Sequence, residues 1–306
     1  MKTEPDIPAQ NMNSSPSSIP TRILTHNIRF ASTAPTRGEE RWTIRRSRMA
    51  SELRFHTTYS PETFICLQEV LKIQLSDILF DLNEQSVGSV RSEWAYIGVG
   101  RDDGNEAGEY SPIIYRKDIW DLLSYKTVWL SETPTKPSKG WDGSCIRIVT
   151  VGRWKHKRTG RVVGGMNTHL DDRGHVARYE AAKMLSSLAA REGEGEDGGS
   201  IPVFLAGDFN SEPNQGAHEY LQTQSGLVDV QTLVKTQHRY GHHDTYTGFD
   251  GSGGGEGTKR IDFVFVSKDS RSAWEIVNYG VLESRFDDGV YSSDHRAVIV
   301  DLFLVS

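Results

Sequence analysis

Five stretches of this chain join an apolar run of strand length to polar residues at one end, and that recurrence limits the available folds more than any other feature. Phe64 to Leu67 leads into Gln68-Glu69, Gly165-Met166 into Asn167-Thr168-His169, and Ile201 to Ala206 into Gly207-Asp208-Phe209-Asn210. Arg260-Ile261-Asp262 and Ser292-Ser293-Asp294-His295 stand instead at the start of apolar runs. Side chains alternate along a strand, so positions two apart, such as Asp208 and Asn210, can leave a sheet edge pointing into one pocket. Ligands of α/β folds bind at such edges. Taken alone, Gly-Asp-Phe-Asn reads equally well as a turn, and a single acid beside a strand is more often a cap or a solvated turn residue. Five coincidences are much harder to dismiss, and they nominate Glu69, His169, Asp208, Asn210, Asp262, Asp294 and His295.

Between these ends the chain alternates β runs with helices. The periodicity predicts a short first strand over 22–27 and an amphipathic helix over 39–59 with Trp42, Ile44, Met49 and Leu53 on its apolar side. A strand over 64–69 and a helix over 70–83 follow, then strands near 94–100, 111–116, 122–130, 144–155 and 162–170, with little helix between them. A helix over 171–191 precedes a polar, glycine-rich loop at 191–200 that should be mobile. A strand through Ala206, a short helix opened by Ser211 and Pro213, and three strands near 260, 276 and 297 complete the chain. This is not simple βαβ winding. A dozen or so strands with helices in two groups suggest an α/β fold of two sheets packed face to face with helices outside. No repeat of 20–50 residues is visible, which excludes a solenoid.

Asn27 in Thr25-His26-Asn27-Ile28-Arg29-Phe30, Gln68-Glu69, Asn167-Thr168-His169, Gly207-Asp208-Phe209-Asn210, Arg260-Ile261-Asp262 and Ser293-Asp294-His295 together resemble, in order, the motifs of the endonuclease/exonuclease/phosphatase superfamily. The intervening text, including residues 98–104, Gly108-Glu109 and 129–134, looks like a microbial branch of unassigned substrate. The resemblance runs from about residue 21 to 304 and implies a four-layer α/β sandwich, two packed mixed β-sheets flanked by helices. Motifs spread from residue 27 to 295 argue for one domain over 21–306, preceded by a disordered tail over 1–20 that is rich in Pro, Ser and Asn. That tail lacks the apolar stretch of a secretory signal, and no run approaches the roughly 20 apolar residues of a membrane helix. A cytoplasmic protein without a membrane span is expected. Cys66 and Cys145 sit in apolar stretches and are expected to be buried free thiols.

Carboxylates brought to within about 5 Å of one another would repel by roughly 3 kcal/mol per pair at an effective dielectric near 20. A cation relieves this. All-oxygen donors without a cysteine cluster favour Mg²⁺, with Mn²⁺ as the alternative. Glu69 is the strongest ligand candidate, with Asn27 and Asp294 supporting it directly or through water. Hydrolysis then needs a base, and His295 held by Asp262 forms a suitable pair, as it does at the matching motifs of relatives. Asp208 is the second choice of base; with Asn210 it would orient water and phosphate, and His169 would donate to a phosphate oxygen or the leaving group.

Substrate recognition is less constrained. Arg101, Arg147 and Arg173 near strand ends, and Trp129 and Trp141 flanking a Pro-containing loop, could frame a phosphate and an apolar or ring-shaped group, although Trp129 reads equally as core and the arginines as solvated. Gly251 to Gly257 forms either a rim over the site or a plain hairpin connection. His242 and His243 are adjacent on an expected exposed loop and do not suit one ion. With 35 Lys and Arg against 41 acids, the net charge of −6 does not favour a protein that grips long nucleic acid. The one basic run with an aromatic, Arg153 to Arg158, reads as a solvated hairpin tip. The expected function is therefore a Mg²⁺-dependent phosphoester hydrolase of a small phosphorylated metabolite, nucleotide or lipid headgroup. A nuclease acting on DNA or RNA is the alternative and a non-catalytic binding module the third. No protein partner can be inferred.

Overall fold

The structure, a computed structural model, describes residues 18–84, 86–87, 90–91, 93–195, 198–268 and 274–305. Residues 1–17 of the tail expected over 1–20, and Glu196 and Asp197 of the 191–200 loop, lie outside the described residues. Ile19 and Pro20, assigned above to that tail, instead open the first strand.

The elements are β1 (Ile19–Asn27), α1 (Trp42–Thr57), β2 (Thr63–Gln68), α2 (Lys72–Asn83), β3 (Ser86–Val87), β4 (Val90–Arg91), β5 (Trp94–Ile97), β6 (Ile113–Arg116), β7 (Trp120–Trp129), β8 (Ile148–His156) and β9 (Val162–His169). They continue with α3 (His175–Glu192), β10 (Val203–Asp208), α4 (Gly216–Gln224), β11 (Leu227–Asp229), α5 (Val230–Leu233), β12 (Arg239–Gly241), β13 (Asp262–Ser267), β14 (Trp274–Val281) and β15 (Val298–Leu304). One mixed sheet has seven strands in the order β12-β14-β15-β1-β2-β6-β5, and the other has six in the order β11-β13-β10-β9-β8-β7. This is the α/β sandwich that the sequence implied, with α1 and α2 on the outer face of the first sheet and α3 and α4 on that of the second.

Period-two alternation builds the layers. In β2, Phe64 and Cys66 face the second sheet, whereas Ile65 and Leu67 join Met49, Leu53, Leu75 and Ile78 under α1 and α2. In β10, Phe204 and Ala206 face inward while Leu205 meets Leu185 of α3. The inner layer is aromatic, with Phe64 centred about the rings of Trp120, Trp154 and Phe204 at 4.9–5.2 Å. Gly165 is small because Phe204 lies where its Cβ would be.

Some local expectations are corrected by this packing. Ile44, placed on the apolar side of α1, is 46% exposed; it is two residues from Trp42, so the helical repeat turns it away. The run Arg153 to Arg158 is not simply a solvated tip. It begins as β8, so alternation buries Trp154 and His156 while Lys155 and Lys157 stay exposed. Cys66 is a buried free thiol as expected, but Cys145 is only half-buried. Among the described residues no helix is long and apolar enough to cross a membrane.

Candidate active site

Each sheet has one central parallel pair, β1–β2 and β9–β10, and the C-terminal ends of both pairs meet at the same end of the sandwich. Register does the rest. Asn27 lies opposite Gln68, His169 opposite Asp208, and Asp208 opposite Asp262, while β15 begins with Val298 opposite Thr25, so the segment before it, with Asp294 and His295, arrives at this end too. The inner-face alternation that buries Phe204 and Ala206 continues to Asp208, and that of Val264 and Val266 continues back to Asp262. Behind them Gln68 Nε2 donates to Asn167 Oδ1 at 2.7 Å and to Thr25 Oγ1 at 3.0 Å, fastening one sheet to the other directly beneath the site.

The ends open on a cavity of about 610 Å³ lined by Glu69, His169, Asp208, Asn210, Asp294 and His295, and on its walls by Arg29, Arg101, Glu109, Arg147 and Tyr246. Asp262 lies behind this lining, where its Oδ2 is 2.8 Å from His295 Nδ1. The other imidazole nitrogen, Nε2, is 3.7 Å from Asp208 Oδ2. Burial disfavours a charged His295, but Asp262 and then Asp208 outweigh it and raise the imidazole to about 10. Burial, reinforced by Asp262, likewise pushes the Asp208 carboxyl up to about 7, against the pull of His295 and Asn27. These two groups titrate as a pair.

On the far side of Asp208, Asn27 Nδ2 donates to Asp208 Oδ2 and to Glu69 Oε1, both at 3.0 Å, and Phe30 N donates to Glu69 Oε2 at 3.2 Å. The Asn27 side-chain oxygen, Oδ1, accepts from Arg29 N at 3.0 Å. Asn27, suggested above as a metal ligand, orients Glu69 and Asp208 through Nδ2 and keeps a second lone pair on Oδ1. Burial, helped by Glu69, raises the Asp294 carboxyl, with His295 and Arg29 opposing. Two acids that disfavour each other's charge while sharing a cavity wall are suited to a divalent ion, and their oxygen donors fit a hard one. Asp208, Asp262 and His295 also lie close enough to hold a metal, but Asp262 already occupies Nδ1 of His295.

His169 and Asn210 stand beside Asp208, whose Oδ2 is 3.5 Å from His169 Nε2 and whose Oδ1 accepts from Asn210 N at 2.9 Å. Asn210 Nδ2 donates to Leu170 O at 3.0 Å and to His169 Nε2 at 3.1 Å, which leaves the ring proton on Nδ1. Burial, with Arg147 and Arg101 adding repulsion, holds the His169 imidazole well below its ordinary range, so the ring is neutral. Backbone strain gathers here as well. Arg29, Glu69 and Asn210, with φ of 56°, 58° and 45°, are three of the four non-glycine residues in the left-handed region among those described, and all three line the cavity.

Of the residues suggested for substrate binding, Arg101 and Arg147 line the cavity and are buried or nearly so, whereas Arg173 is at its rim with 82% of its side chain exposed. Trp129 does not line it. It is buried beneath the 100–109 loop, donating from Nε1 to Arg101 O at 2.8 Å, and Trp141 is likewise absent from the lining. Glu256 of the 251–257 segment reaches the cavity, as the rim reading expected. His242 pairs with Glu283 and His243 with Asp244, away from it.

Several contributors were given no site role from the sequence. Glu109, noted above only within Gly108-Glu109 and paired twice with Arg101 at 2.7 and 3.0 Å, is one; burial and the nearby Glu69 push its carboxyl up, against Arg101 and Arg147. Arg45 is another. Fully buried in α1, it donates to Ile28 O (2.8 Å), Arg29 O (3.1 Å), Phe30 O (3.3 Å), Glu40 O (2.9 Å) and Ser292 O (2.9 Å), tying the segment after β1 to the one that carries Asp294 and His295. Ser293 Oγ adds a 2.6 Å bond to Asn27 O.

A two-sheet α/β sandwich with acids, imidazoles and an amide at the shared strand ends defines a phosphoester hydrolase of the metal-assisted type. The family model described as Endonuclease/Exonuclease/phosphatase family matches residues 24–295, and the chain belongs to that family. Among solved structures, an endonuclease/exonuclease/phosphatase from Bacteroides vulgatus is 29% identical with a TM-score of 0.79, over 94% of this chain and 99% of that one. A mannosyl-6-phosphatase from Bacteroides thetaiotaomicron is 31% identical with a TM-score of 0.78, over 92% of this chain and 99% of that one. The human Nocturnin catalytic domain, 16% identical with a TM-score of 0.63 over 94% and 96%, shares the fold. A comparison with curated proteins returned no match.

Proposed function

We propose that this protein is a Mg²⁺-dependent phosphomonoesterase of a small phosphorylated metabolite. The observation that carries the chemistry is the convergence of the Asp262–His295 pair and Asp208 with Glu69, Asp294, His169 and Asn210 at one cavity. Glu69 and Asp294 would hold the ion, which when bound withdraws charge from a phosphoryl oxygen. The His295–Asp208 couple accepts the proton of the attacking water, with Asp262 fixing the ring and Asn27 fixing the carboxylate. Asn210 Nδ2, whose two protons go to Leu170 O and His169 Nε2, fixes the His169 ring so that its Nδ1 proton can meet a phosphoryl oxygen.

The cavity wall supports a small substrate over a polymer. A groove for long nucleic acid offers unpaired cations along its length. Here three of the lining cations each stand within 4 Å of a carboxylate: Arg101 by Glu109, Arg147 by Asp172, Arg29 by Glu39. The similarity to a mannosyl-6-phosphatase over nearly the whole chain points the same way.

The test is a panel of hexose phosphates, nucleoside monophosphates, bis-phosphodiesters, and single- and double-stranded DNA and RNA, assayed with and without chelator. Chelator-sensitive release of inorganic phosphate from at least one monoester is expected, restored by Mg²⁺. Asp208→Ala and His295→Ala should each lower it by about 10³-fold. Turnover confined to nucleic acids would replace this reading with the nuclease one, and activity indifferent to both substitutions would refute the assigned roles.

A further inference from the structure

The cavity has a second functional wall beside the one that performs the chemistry. Its centre is Glu109, whose carboxylate takes both hydrogen bonds of the Arg101 fork and lies 3.9 Å from His169 Nδ1, a separation too long for a bond. Around it, Arg147 Nε and Nη1 and Arg101 Nε are buried donors without a hydrogen-bond partner in the protein. Arg147, only 8% exposed, is held through Nη2, 3.3 Å from Asp172 Oδ1, with Asp171 Oδ2 3.9 Å from Nε, too far for a bond. Buried donors of this kind are rarely left unused in native proteins.

The pattern of donors decides what fits. A second phosphate or a carboxylate would suit the arginines but would be forced against Glu109 and, beyond it, Glu69. An apolar group would leave every one of these donors and both Glu109 oxygens unanswered. A hydroxyl both donates and accepts, and each Glu109 oxygen keeps a lone pair after its bond to Arg101. A carboxylate in the company of unanswered arginine donors therefore suits hydroxyl groups. The wall is also held stiffly. The 100–109 segment folds back on itself through Asp103 Oδ1, which accepts from Asn105 N (2.8 Å) and Ala107 N (3.0 Å), and Trp129 Nε1 clamps the Arg101 carbonyl. Stiff support is what a selective polar subsite requires.

We infer that Glu109, Arg101 and Arg147 form a polyol-reading subsite, so that the substrate is a phosphorylated sugar or sugar alcohol whose hydroxyls lie on this wall while its phosphate faces His169 and Asn210. This rests on the phosphomonoesterase reading for the phosphate but stands on its own for the hydroxyls. The experiment has two arms. In the first, kcat/KM is measured for hexose 6-phosphates and for phenyl phosphate, which has no hydroxyls, in the wild type, Glu109→Gln and Arg147→Gln. The ratio of the two should fall by about 10- to 100-fold in each variant, the range for lost hydrogen bonds to charged groups. Equal losses on both substrates would overturn the subsite, as would a wild type that prefers phenyl phosphate.

The second arm uses methyl hexosides, which carry no phosphate, titrated calorimetrically at millimolar concentration. Binding to the wild type, weakened at least tenfold in Glu109→Gln, is expected. No binding by any hexoside overturns the subsite even if monoesters are hydrolysed. Binding without hydrolysis of any monoester supports the subsite and refutes the phosphomonoesterase reading. Circular dichroism identifies a misfolded variant, and the other variant then carries the comparison.

Discussion

Asp262→Asn isolates the group that supports His295 without touching the cavity lining. Asp262 Oδ2 sits 2.8 Å from His295 Nδ1, fully buried, and the substitution keeps the shape while deleting the charge. Unit charges at that separation attract by about 6 kcal/mol at an effective dielectric of 20, which is an upper bound on what the imidazolium loses. Asp208 Oδ2, 3.7 Å from the other ring nitrogen, keeps part of that stabilisation. A net loss of about 4 kcal/mol follows, or roughly a thousandfold in rate at 1.36 kcal/mol per decade.

The split between kinetic constants is the sharper readout. Because Asp262 lies behind the cavity lining and acts on His295 and Asp208 and not on the substrate, kcat should carry the loss and KM should change by less than about threefold. Initial rates with a turned-over phosphomonoester at saturating Mg²⁺ measure both, with circular dichroism as the check on folding. A folded variant that loses less than tenfold in kcat, or loses only in KM, would refute the assignment of Asp262 as the support of the catalytic imidazole.

Three other perturbations test the framework. Burial alone would raise the Asp229 carboxyl, but His218 and the buried Arg260 hold it below the usual carboxylate range, so its stabilising contribution is complete above the unfolded value of about 3.9 and is lost as pH falls through the lower folded value. Urea midpoints should therefore drop as pH falls from 4 toward 2, and Asp229→Asn should flatten that part of the profile; an identical decline in the variant would refute the linkage. Arg45→Ala should cost about 3 kcal/mol in urea unfolding, since it leaves several buried carbonyls without a donor, and should lower kcat by loosening the Asp294–His295 segment; a stable variant of normal kcat would remove Arg45 from the positioning role. Gly207→Ala places a Cβ on Thr168 O at a φ of 147° and should cost roughly 3 kcal/mol or prevent folding; a midpoint close to the wild type would refute the β9–β10 packing.

The strand ends were legible because the chemistry there interrupts an otherwise apolar period. Asp208 and Asp262 occupy positions where alternation would have placed another Ala or Val, and a buried acid in such a register stands out in one sequence. Glu109 and Arg45 do not interrupt anything. Glu109 lies in a polar loop, where an acid is unremarked, and Arg45 lies among four arginines between Arg41 and Arg48, where nothing local says which one is buried. Trp129 illustrates the converse. An aromatic beside a Pro-containing loop suggests a ligand platform, but the Gly104 turn packs on its ring and turns it into a support for Arg101. Element ends were displaced by a few residues for a related reason: the N-cap residues of α1 and α3 make no side-chain cap, and the first turn of α3 is met instead by Asp142 from a distant part of the sequence, so the local signal is missing.

Strand register and loop structure divide the work of this site between them. A one-residue slip of β10 against β9 would turn Asp208 from the inner face toward the α3 layer, so the placement of the reacting groups is inseparable from the packing of Phe204 and Ala206 that fixes the register. On the second wall Arg147 directly precedes β8, but Arg101 and Glu109 are under no such constraint. Arg101 and Glu109 stand on the connection between β5 and β6, the pair at one edge of the first sheet, and their bonds are to each other and to Trp129. Substitution there alters which molecule is presented to the strand ends while leaving the core that aligns them intact. The chemistry is thus tied to the stability of the fold, whereas the choice of substrate is not, and that separation lets one sandwich serve different phosphoesters.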